Sequence, residues 1–340
     1  MDNKRAVLLF VVLIGLAVRS LSADDTKTSG KRILIKDSGT LFVTDPDGMN
    51  RRKIAEKAGA AAFSPDGNLV AYADAKSVSV FSLLDGQSVT LAHLTEANVP
   101  SITWSPDQKR LAYEIDVRMK SWDLFLASYP PNGNAPRNLG PWYESVSFSA
   151  DGKFIVHPSY GPQGPNLLET VNVESGKRET IYKAVTTIWS AQYSPDGSSI
   201  AFMMTDPEDD ESQNDSGGVV TDLWILPLDS KKPVRIMRGV FHFNWSPDGR
   251  LLAIETGSEV GDYPPGDSAI FISSVDEKIQ FKLSKNANSI GPVFSPDSKK
   301  VMFVEFNDAR LVIGDLATRK LTPQAVSGPG TDEYKVCDWK

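Results

Sequence analysis

Short apolar runs alternate with polar turns along the whole chain after about residue 31. Each run holds three or four β-branched, aliphatic or aromatic residues and is bounded by turn residues, which favours strands over helices. In one repeat, the second, third and fourth runs are Leu69–Tyr72, Val78–Phe81 and Val89–Leu91. Four short antiparallel strands per repeat are typical of the blade of a β-propeller.

A turn motif, an aromatic residue followed by Ser-Pro-Asp-Gly or a close variant, precedes the second strand of six repeats. Successive spacings between its serines are 41, 44, 45, 52 and 49 residues; these serines are Ser64, Ser105, Ser149, Ser194, Ser246 and Ser295. Pro presets φ for a type I turn, Ser can bond to the nearby backbone, and Gly leaves the turn without a Cβ clash. A period of this length predicts a repeat architecture.

The two ends of the chain together predict a seventh blade. Ile33–Ile35, Leu41–Val43 and Arg52–Ile54 fit strands two, three and four of a blade without a first strand. Trp339 stands where the aromatic residue of the motif would be, so we expect Val336–Trp339 to be that first strand. The prediction is an all-β, seven-bladed propeller with 3+1 closure, which removes free sheet edges; the alternative is six blades with flanking extensions.

The Ser-Pro-Asp-Gly repeats resemble the propeller repeats of TolB-type proteins, which are relatives of WD repeats. The resemblance covers roughly residues 31–340. TolB proper is expected to carry an α/β domain before a six-bladed propeller, whereas only about ten residues separate the leader from the first strand here. The repeat type therefore carries over, and TolB's partner-binding residues do not.

The N-terminus has the layout of a secretory signal peptide. Lys4 and Arg5 precede an apolar stretch over residues 6–18, and small residues lead to expected cleavage after Ser22 or Ala23. We therefore expect a signal peptide over 1–23, a propeller over 24–340, and a periplasmic or secreted location. A retained membrane anchor is the alternative, disfavoured because the run is short for a bilayer span.

Charge and cysteine content narrow the classes of partner. The net charge is −7, and because the leader is basic, the mature chain carries about −9. An acidic surface of this kind binds nucleic acid or anionic lipid poorly. Cys337 is the single cysteine, so the chain has no internal disulfide. We expect a monomer whose partner is an envelope protein, a peptide or a glycan.

Catalytic motifs are scarce. A Gly-x-Ser-x-Gly nucleophile elbow does not occur in the sequence, and His93, His157 and His242 fall in different repeats. The sequence therefore favours a non-catalytic scaffold. The enzyme alternative is a metal-dependent hydrolase or lactonase centred on the channel. Its candidate residues, each near the start of an inner strand, are Asn98, Glu144, Asn288 and Glu333.

A strongly acidic insertion spans residues 206–218. Carboxylate oxygens suit Ca²⁺, but the spacing does not match an EF-hand loop. No cofactor is expected, with a calcium-stabilised scaffold as a further alternative. The weak candidate ligands in this insertion are Asp206, Asp209, Asp210 and Asp215.

Strand alternation predicts that the insertions share one face of the ring. The segments 159–166, 206–218 and 258–267 all connect second to third strands, and the other face is expected to carry short, regular turns. Exposed loops on a rigid scaffold are where binding residues concentrate. The candidate partner-binding residues on this face are Trp142, Tyr143, Tyr160, Trp189, His242, Asp262 and Tyr263.

Overall fold

The computed structural model describes residues 32–46, 50–95, 97–116, 122–141, 146–161, 164–205, 221–257, 268–276, 278–286, 288–305, 310–324 and 335–340. These residues belong to one compact unit, Lys31–Lys340. Their strands form seven antiparallel sheets of four, which makes the protein a seven-bladed β-propeller. No helix among the described residues has the length and apolar character to cross a bilayer.

Each blade has one strand at every radial level. The innermost strands of blades 1 to 7 are β28 (Lys335–Trp339), β4 (Ala61–Phe63), β8 (Ile102–Trp104), β12 (Ser147–Phe148), β16 (Ile188–Tyr193), β20 (Val240–Trp245) and β24 (Ser289–Phe294). The second strands are β1 (Ile33–Asp37), β5 (Leu69–Ala73), β9 (Arg110–Asp116), β13 (Phe154–Gly161), β17 (Ser199–Thr205), β21 (Leu251–Thr256) and β25 (Lys300–Glu305).

The two outer levels follow in the same blade order. The third strands are β2 (Thr40–Thr44), β6 (Ser77–Ser82), β10 (Trp122–Ser128), β14 (Gly164–Asn172), β18 (Thr221–Pro227), β22 (Ala269–Ser274) and β26 (Arg310–Asp315). The outermost strands are β3 (Arg52–Ala55), β7 (Ser88–His93), β11 (Arg137–Pro141), β15 (Arg178–Lys183), β19 (Val234–Met237), β23 (Gln280–Lys282) and β27 (Leu321–Pro323).

The last strand of the chain closes the first blade. β28 pairs antiparallel with β1, with Trp339 opposite Ile33 and Asp338 opposite Leu34. Backbone bonds between Arg32 and Lys340 extend the pairing in both directions. The predicted seven blades and 3+1 closure are confirmed, and the six-blade alternative is wrong because the terminal segment completes a blade.

Apolar clusters lie between successive blades and account for the ring. Ile33 and Trp339 of blade 1 pack against Met302 and Val304 of blade 7, so the interface at the closure is as apolar as the others. Ala112 of β9 is buried against blade 4, as expected for a small residue that lets neighbouring sheets approach. Because a single sheet cannot bury both its faces, each blade depends on two neighbours.

Candidate functional site

Strand alternation sorts the connections onto two faces. The turn face carries the connections from first to second and from third to fourth strands. The loop face carries the connections from second to third strands and from one blade to the next. The central channel runs between the two faces along the innermost strands.

The Ser-Pro-Asp-Gly turns are held by their own side chains. The Ser64 hydroxyl donates to Asp66 at 2.6 Å and accepts the Leu69 N–H at 3.0 Å. The Gly67 N–H donates to the Ser64 carbonyl, which closes the turn. The other five motifs repeat the donation from Ser to Asp at 2.6 to 2.7 Å. The sequence motif therefore codes for a self-bonded hairpin turn rather than a binding site.

Neighbouring turns also contact each other around the turn face. Gly249 has a φ of 71°, a left-handed value that favours glycine, and a Cβ there would lie 3.5 Å from Cδ of Pro195 in the preceding blade. The Asp248 N–H donates to the Ser298 hydroxyl of the following blade at 3.2 Å. Residues of the repeated turn motif thus also make contacts between neighbouring blades.

The turn face is less regular than the sequence suggested. The connection between β10 and β11 spans residues 129–136, so the expectation that all turns on this face are short is wrong for blade 3. Tyr129 begins this connection and packs edge-on against Trp104, with ring centroids 5.3 Å apart. Packing of that aromatic pair anchors the longer connection to the blade.

In four blades the residue just before the motif aromatic links its blade to the next one through a side-chain hydrogen bond. The Ser147 hydroxyl accepts the Tyr193 N–H at 3.0 Å, and the Gln192 amide donates to the Phe243 carbonyl at 3.2 Å. The pattern continues where the Asn244 amide donates to the Pro292 carbonyl at 2.8 Å. Innermost strands have one unpaired edge, and these side chains occupy part of it. Sequence reasoning missed this ring.

Asp338 occupies the same position in the closing strand. Its Oδ2 atom accepts the Phe63 N–H of blade 2 at 3.0 Å, and its Oδ1 atom accepts the Trp339 N–H at 2.7 Å. Burial raises the pKa of Asp338, because desolvation disfavours the charged form more than the two N–H bonds and Lys340 favour it. The closing strand is thus bonded to both of its neighbours.

Two cavities lie along the channel. One, of about 460 Å³, is lined by innermost strands of five blades and includes Thr103, Ser147, Gln192 and Asn244. The other, of about 340 Å³, opens on the loop face, and we call it the channel mouth; its lining residues are Lys36, Gly59, Ala60, Ala61, Asn98, Val99, Pro100, Ser101 and Ile102. Concave sites with a few convergent polar groups are the usual places for ligands.

The enzyme candidates are dispersed in the described part of the chain. Asn98 lines the channel mouth. Asn288 has a φ of 60° just before β24. Glu144 and Glu333 lie outside the described residues. Within the described ranges, no three His, Cys, Asp or Glu side chains are grouped so that they could hold a metal ion.

Two of the predicted binding residues are described with their side chains. Trp189 lies at a register shift in β16 and packs against the apolar cluster between blades 5 and 6, where its buried indole N–H has no hydrogen-bond partner among the described residues. His242 is exposed on β20 and lies opposite Glu255. A binding role for either residue stays a prediction.

The remaining predicted binding and metal residues have no described side chain. Tyr160 lies at a register shift near the end of β13, so only its backbone position is known. Four binding candidates, Trp142, Tyr143, Asp262 and Tyr263, lie outside the described residues. The calcium candidates Asp206, Asp209, Asp210 and Asp215 also lie outside them, so these assignments stay predictions.

Most of the insertion in blade 4 is β-strand, whereas a loop was expected. Residues 159–166 were expected to form a loop, but β13 and β14 extend through most of this segment, with Gly161 opposite Gly164. The two glycines and the proline between them favoured a loop in the sequence. The structure instead extends the longest hairpin of the ring on the loop face.

His157 is buried inside blade 4 in contact with Arg178. The side chain is 1% exposed, and its Nε2 atom lies 2.9 Å from Nη1 of Arg178. Burial, followed by the Arg178 charge, lowers the pKa of His157 to about 3, so the imidazole is neutral at ordinary pH. Arg178 also donates to the carbonyls of Leu139 and Pro141 in blade 3, which ties the two blades together.

Comparisons with known proteins agree on the fold. No family model matches this chain. It is 22% identical over 298 residues to a probable dipeptidyl-peptidase 5 of Emericella nidulans, a match that covers 77% of this chain and 41% of that protein's length. The chain therefore spans less than half of that relative.

Two solved structures illustrate the structural similarity. A putative TolB from Agrobacterium tumefaciens is 19% identical, with a TM-score of 0.52, over 75% of this chain and 88% of that one. An oligogalacturonate lyase in complex with manganese is 14% identical, with a TM-score of 0.59, over 86% of this chain and 83% of that one. At these identities the likeness concerns the propeller fold alone, and it confirms the TolB-type resemblance at that level.

Proposed function

We propose that this chain is an exported, non-catalytic propeller that binds a protein partner on the loop face, around the channel mouth. The observation that carries the proposal is the different use of polar side chains along the channel. Inside, Ser147, Gln192 and Asn244 are engaged in bonds between blades. At the mouth, Lys36 and Asn98 line a cavity, and their side chains have no hydrogen-bond or ion-pair partner among the described residues.

The loop face is also where the sequence places its longest insertions. The hairpin of β13 and β14 extends from this face, and the sequence places the insertions 206–218 and 258–267 in the connections of the next two blades. Seven interlocked blades form a rigid support for such connections, which suits recognition of a partner. A protein partner is favoured because three neighbouring blades contribute to one surface.

Export rests on the leader. A basic start, an apolar stretch and small residues before Asp24 are typical of a cleaved signal peptide. We therefore expect expression in a bacterial host to deliver a chain beginning at Ala23 or Asp24 to the periplasm or medium. Fractionation with N-terminal sequencing of the product tests this, and a cytoplasmic chain that keeps its leader would contradict it.

Site-specific photo-crosslinking tests the binding face. A photoreactive amino acid at Ser159, on the hairpin of the loop face, is expected to capture the partner from an envelope extract. The matched control places it at Ser198, which is exposed on the turn face. The same adduct from both positions, or an adduct only from Ser198, would contradict the proposed face.

A metal-dependent enzyme with a channel-centred site is the second candidate. The similarity to a lyase in complex with manganese and to a probable peptidase supports considering it. Metal analysis of the purified mature protein separates the alternatives. Stoichiometric transition metal with chelator-sensitive activity would favour the enzyme. A melting temperature that rises with calcium, and no longer does so after deletion of 206–218, would favour a calcium-stabilised scaffold.

A further inference from the structure

Lys36 stands where two of the other six blades, blades 3 and 6, have a buried carboxylate. It lies three residues after Ile33, the partner of Trp339, just as Glu255 lies three residues after Leu252, the partner of Trp245. Glu255 is fully buried and its Oε2 atom accepts the Gly291 N–H of the next blade at 2.8 Å. Blade 3 likewise has buried Glu114 at this position. A lysine has no acceptor atom, so Lys36 cannot make this bond between blades.

The backbone register sets a second lysine opposite Lys36. Lys335 of β28 lies directly opposite Lys36. Like charges at directly opposed positions of an antiparallel pair destabilise the sheet. Among the described residues, no carboxylate lies within ion-pair distance of Lys36. Natural chains retain such local conflicts mainly at functional sites.

Small residues create the space in front of Lys36. The innermost strand of blade 2 and the residues before it read Gly59-Ala60-Ala61-Ala62, the smallest such segment in the ring. A Cβ at Gly59 would lie 3.2 Å from the Val99 carbonyl, so the glycine permits the close approach of the segment that carries Asn98. The resulting cavity of about 340 Å³ can admit a side chain from outside.

The donors around this cavity suit one kind of ligand group. Lys36 supplies an ammonium, Asn98 an amide and Ser101 a hydroxyl. No hydrogen-bond partner for any of these three side chains is found in the described ranges. An ammonium and neutral donors around one cavity, with no carboxylate among its lining residues, favour an anionic acceptor, and bonds to a carboxylate are the stronger, charge-assisted kind.

We propose that Lys36, Asn98 and Ser101 form a carboxylate-binding subsite that takes an acidic side chain from a peptide segment of the partner. The inference rests on the proposed function, since it specifies the chemistry of the partner at the channel mouth. The chain as a whole is acidic, so long-range forces oppose an acidic peptide. Binding therefore depends on contacts at the mouth itself.

The test uses a fluorescein-labelled glutamate-rich peptide and the mature protein, with fluorescence anisotropy as the readout. The matched glutamine-rich peptide tests the need for the carboxylate. Lys36→Met and Asn98→Ala are expected to weaken binding by about tenfold or more each, the change from losing one charge-assisted bond. Lys109→Met is the control, because Lys109 is exposed on the turn face. Melting curves verify that each variant is folded.

The subsite is supported if the glutamate-rich peptide binds, if added salt weakens this binding, and if Lys36→Met reduces it. Equal affinity for both peptides, equal affinity of Lys36→Met and wild type, or no binding would overturn it. The photo-crosslinking at Ser159 is independent of Lys36. A partner adduct that persists in Lys36→Met therefore leaves the proposed function standing while the carboxylate subsite fails.

Discussion

The carboxylate of Asp338 accepts the backbone N–H of Phe63 at 3.0 Å, so the last strand of the chain is bonded to the next blade as well as to its own. Asp338 stands opposite Leu34 in the closing pair. The terminal segment is thereby joined to β1 through backbone pairing and to blade 2 through this side chain. Its protonation is accordingly coupled to the stability of the closure.

Lowering the pH is expected to favour the wild type over Asp338→Asn. The folded-state pKa of Asp338 lies above its ordinary value of 3.8 because the side chain is buried. Its contribution to stability is therefore fully present below the unfolded pKa and is lost as the pH rises through the folded pKa. Urea unfolding of both proteins from neutral pH toward 3.8 measures this. A difference in free energy that is constant or moves the other way would contradict the assignment.

Asp151 on the turn face is expected to show the opposite dependence. The Ser149 hydroxyl, followed by the Lys153 N–H and ammonium, lowers the pKa of Asp151 to about 2. Its contribution is present above the unfolded value of 3.8 and is lost as the pH falls through about 2. Asp151→Asn should therefore cost stability at neutral pH and nothing in strong acid, with a small effect because the group is exposed. Urea titrations across this range provide the measurement.

Removing the turn hydroxyl of blade 5 is expected to cost about 1–3 kcal/mol of unfolding free energy. Ser194 is buried, donates to Asp196 at 2.6 Å and accepts the Ser199 N–H at 3.0 Å, which Ser194→Ala would leave without this acceptor. Ser198→Ala is the control, because Ser198 bonds to the same carboxylate but is exposed. Equal losses from the two variants in urea unfolding would show that the buried hydroxyl has no special role.

Trp339→Ala is expected to lower the unfolding free energy by about 3–5 kcal/mol, as for other large aromatic side chains removed from a core. Trp339 is 3% exposed and packs with Ile33 and Met302 where blade 1 contacts blade 7. Val185→Ala, at a residue that is 74% exposed, serves as the control and should change stability little. Urea unfolding followed by circular dichroism checks both. An unaffected Trp339→Ala would mean that closure does not limit the stability of the ring.

The fold was predictable because the same turn motif recurs at the same place in each blade. The aromatic residue and the Ser-Pro-Asp turn mark where each innermost strand ends, and Trp339 supplied the missing mark for blade 1. The hairpin over 159–166 was not predictable in the same way. Gly161 and Gly164 are typical of loops, and only the register of β13 against β14 reveals the strand extension.

The channel residues were harder to find because no single residue type defines them. Ser147 accepts a hydrogen bond, whereas Gln192 and Asn244 donate one, so the position before the aromatic carries different chemistry in each blade. Aligning the repeats shows that it is polar in five blades; the seven residues are Ala62, Thr103, Ser147, Gln192, Asn244, Val293 and Asp338. Lys36 was not predictable, because a lysine in a strand is ordinary until the register shows that its counterparts in blades 3 and 6 are the buried Glu114 and Glu255.

Substitution of Lys36 is expected to leave the ring as stable as before or more stable, which separates a binding residue from a structural one. Lys36→Gln removes one of two lysines that the backbone register sets opposite each other, and it should raise the unfolding free energy by about 0.2–1 kcal/mol. Lys335→Gln should give a similar gain. The double variant should gain less than the sum of the two, because both singles relieve the same repulsion.

Lys109→Gln is the control for this cycle, since Lys109 is exposed on the turn face whereas the mouth opens on the loop face. Its unfolding free energy should match that of the wild type. Urea unfolding of the four proteins and the control gives the coupling directly. A loss of stability in Lys36→Gln, or gains that simply add, would mean that the two lysines do not repel each other. The cost that marks Lys36 as functional would then be absent.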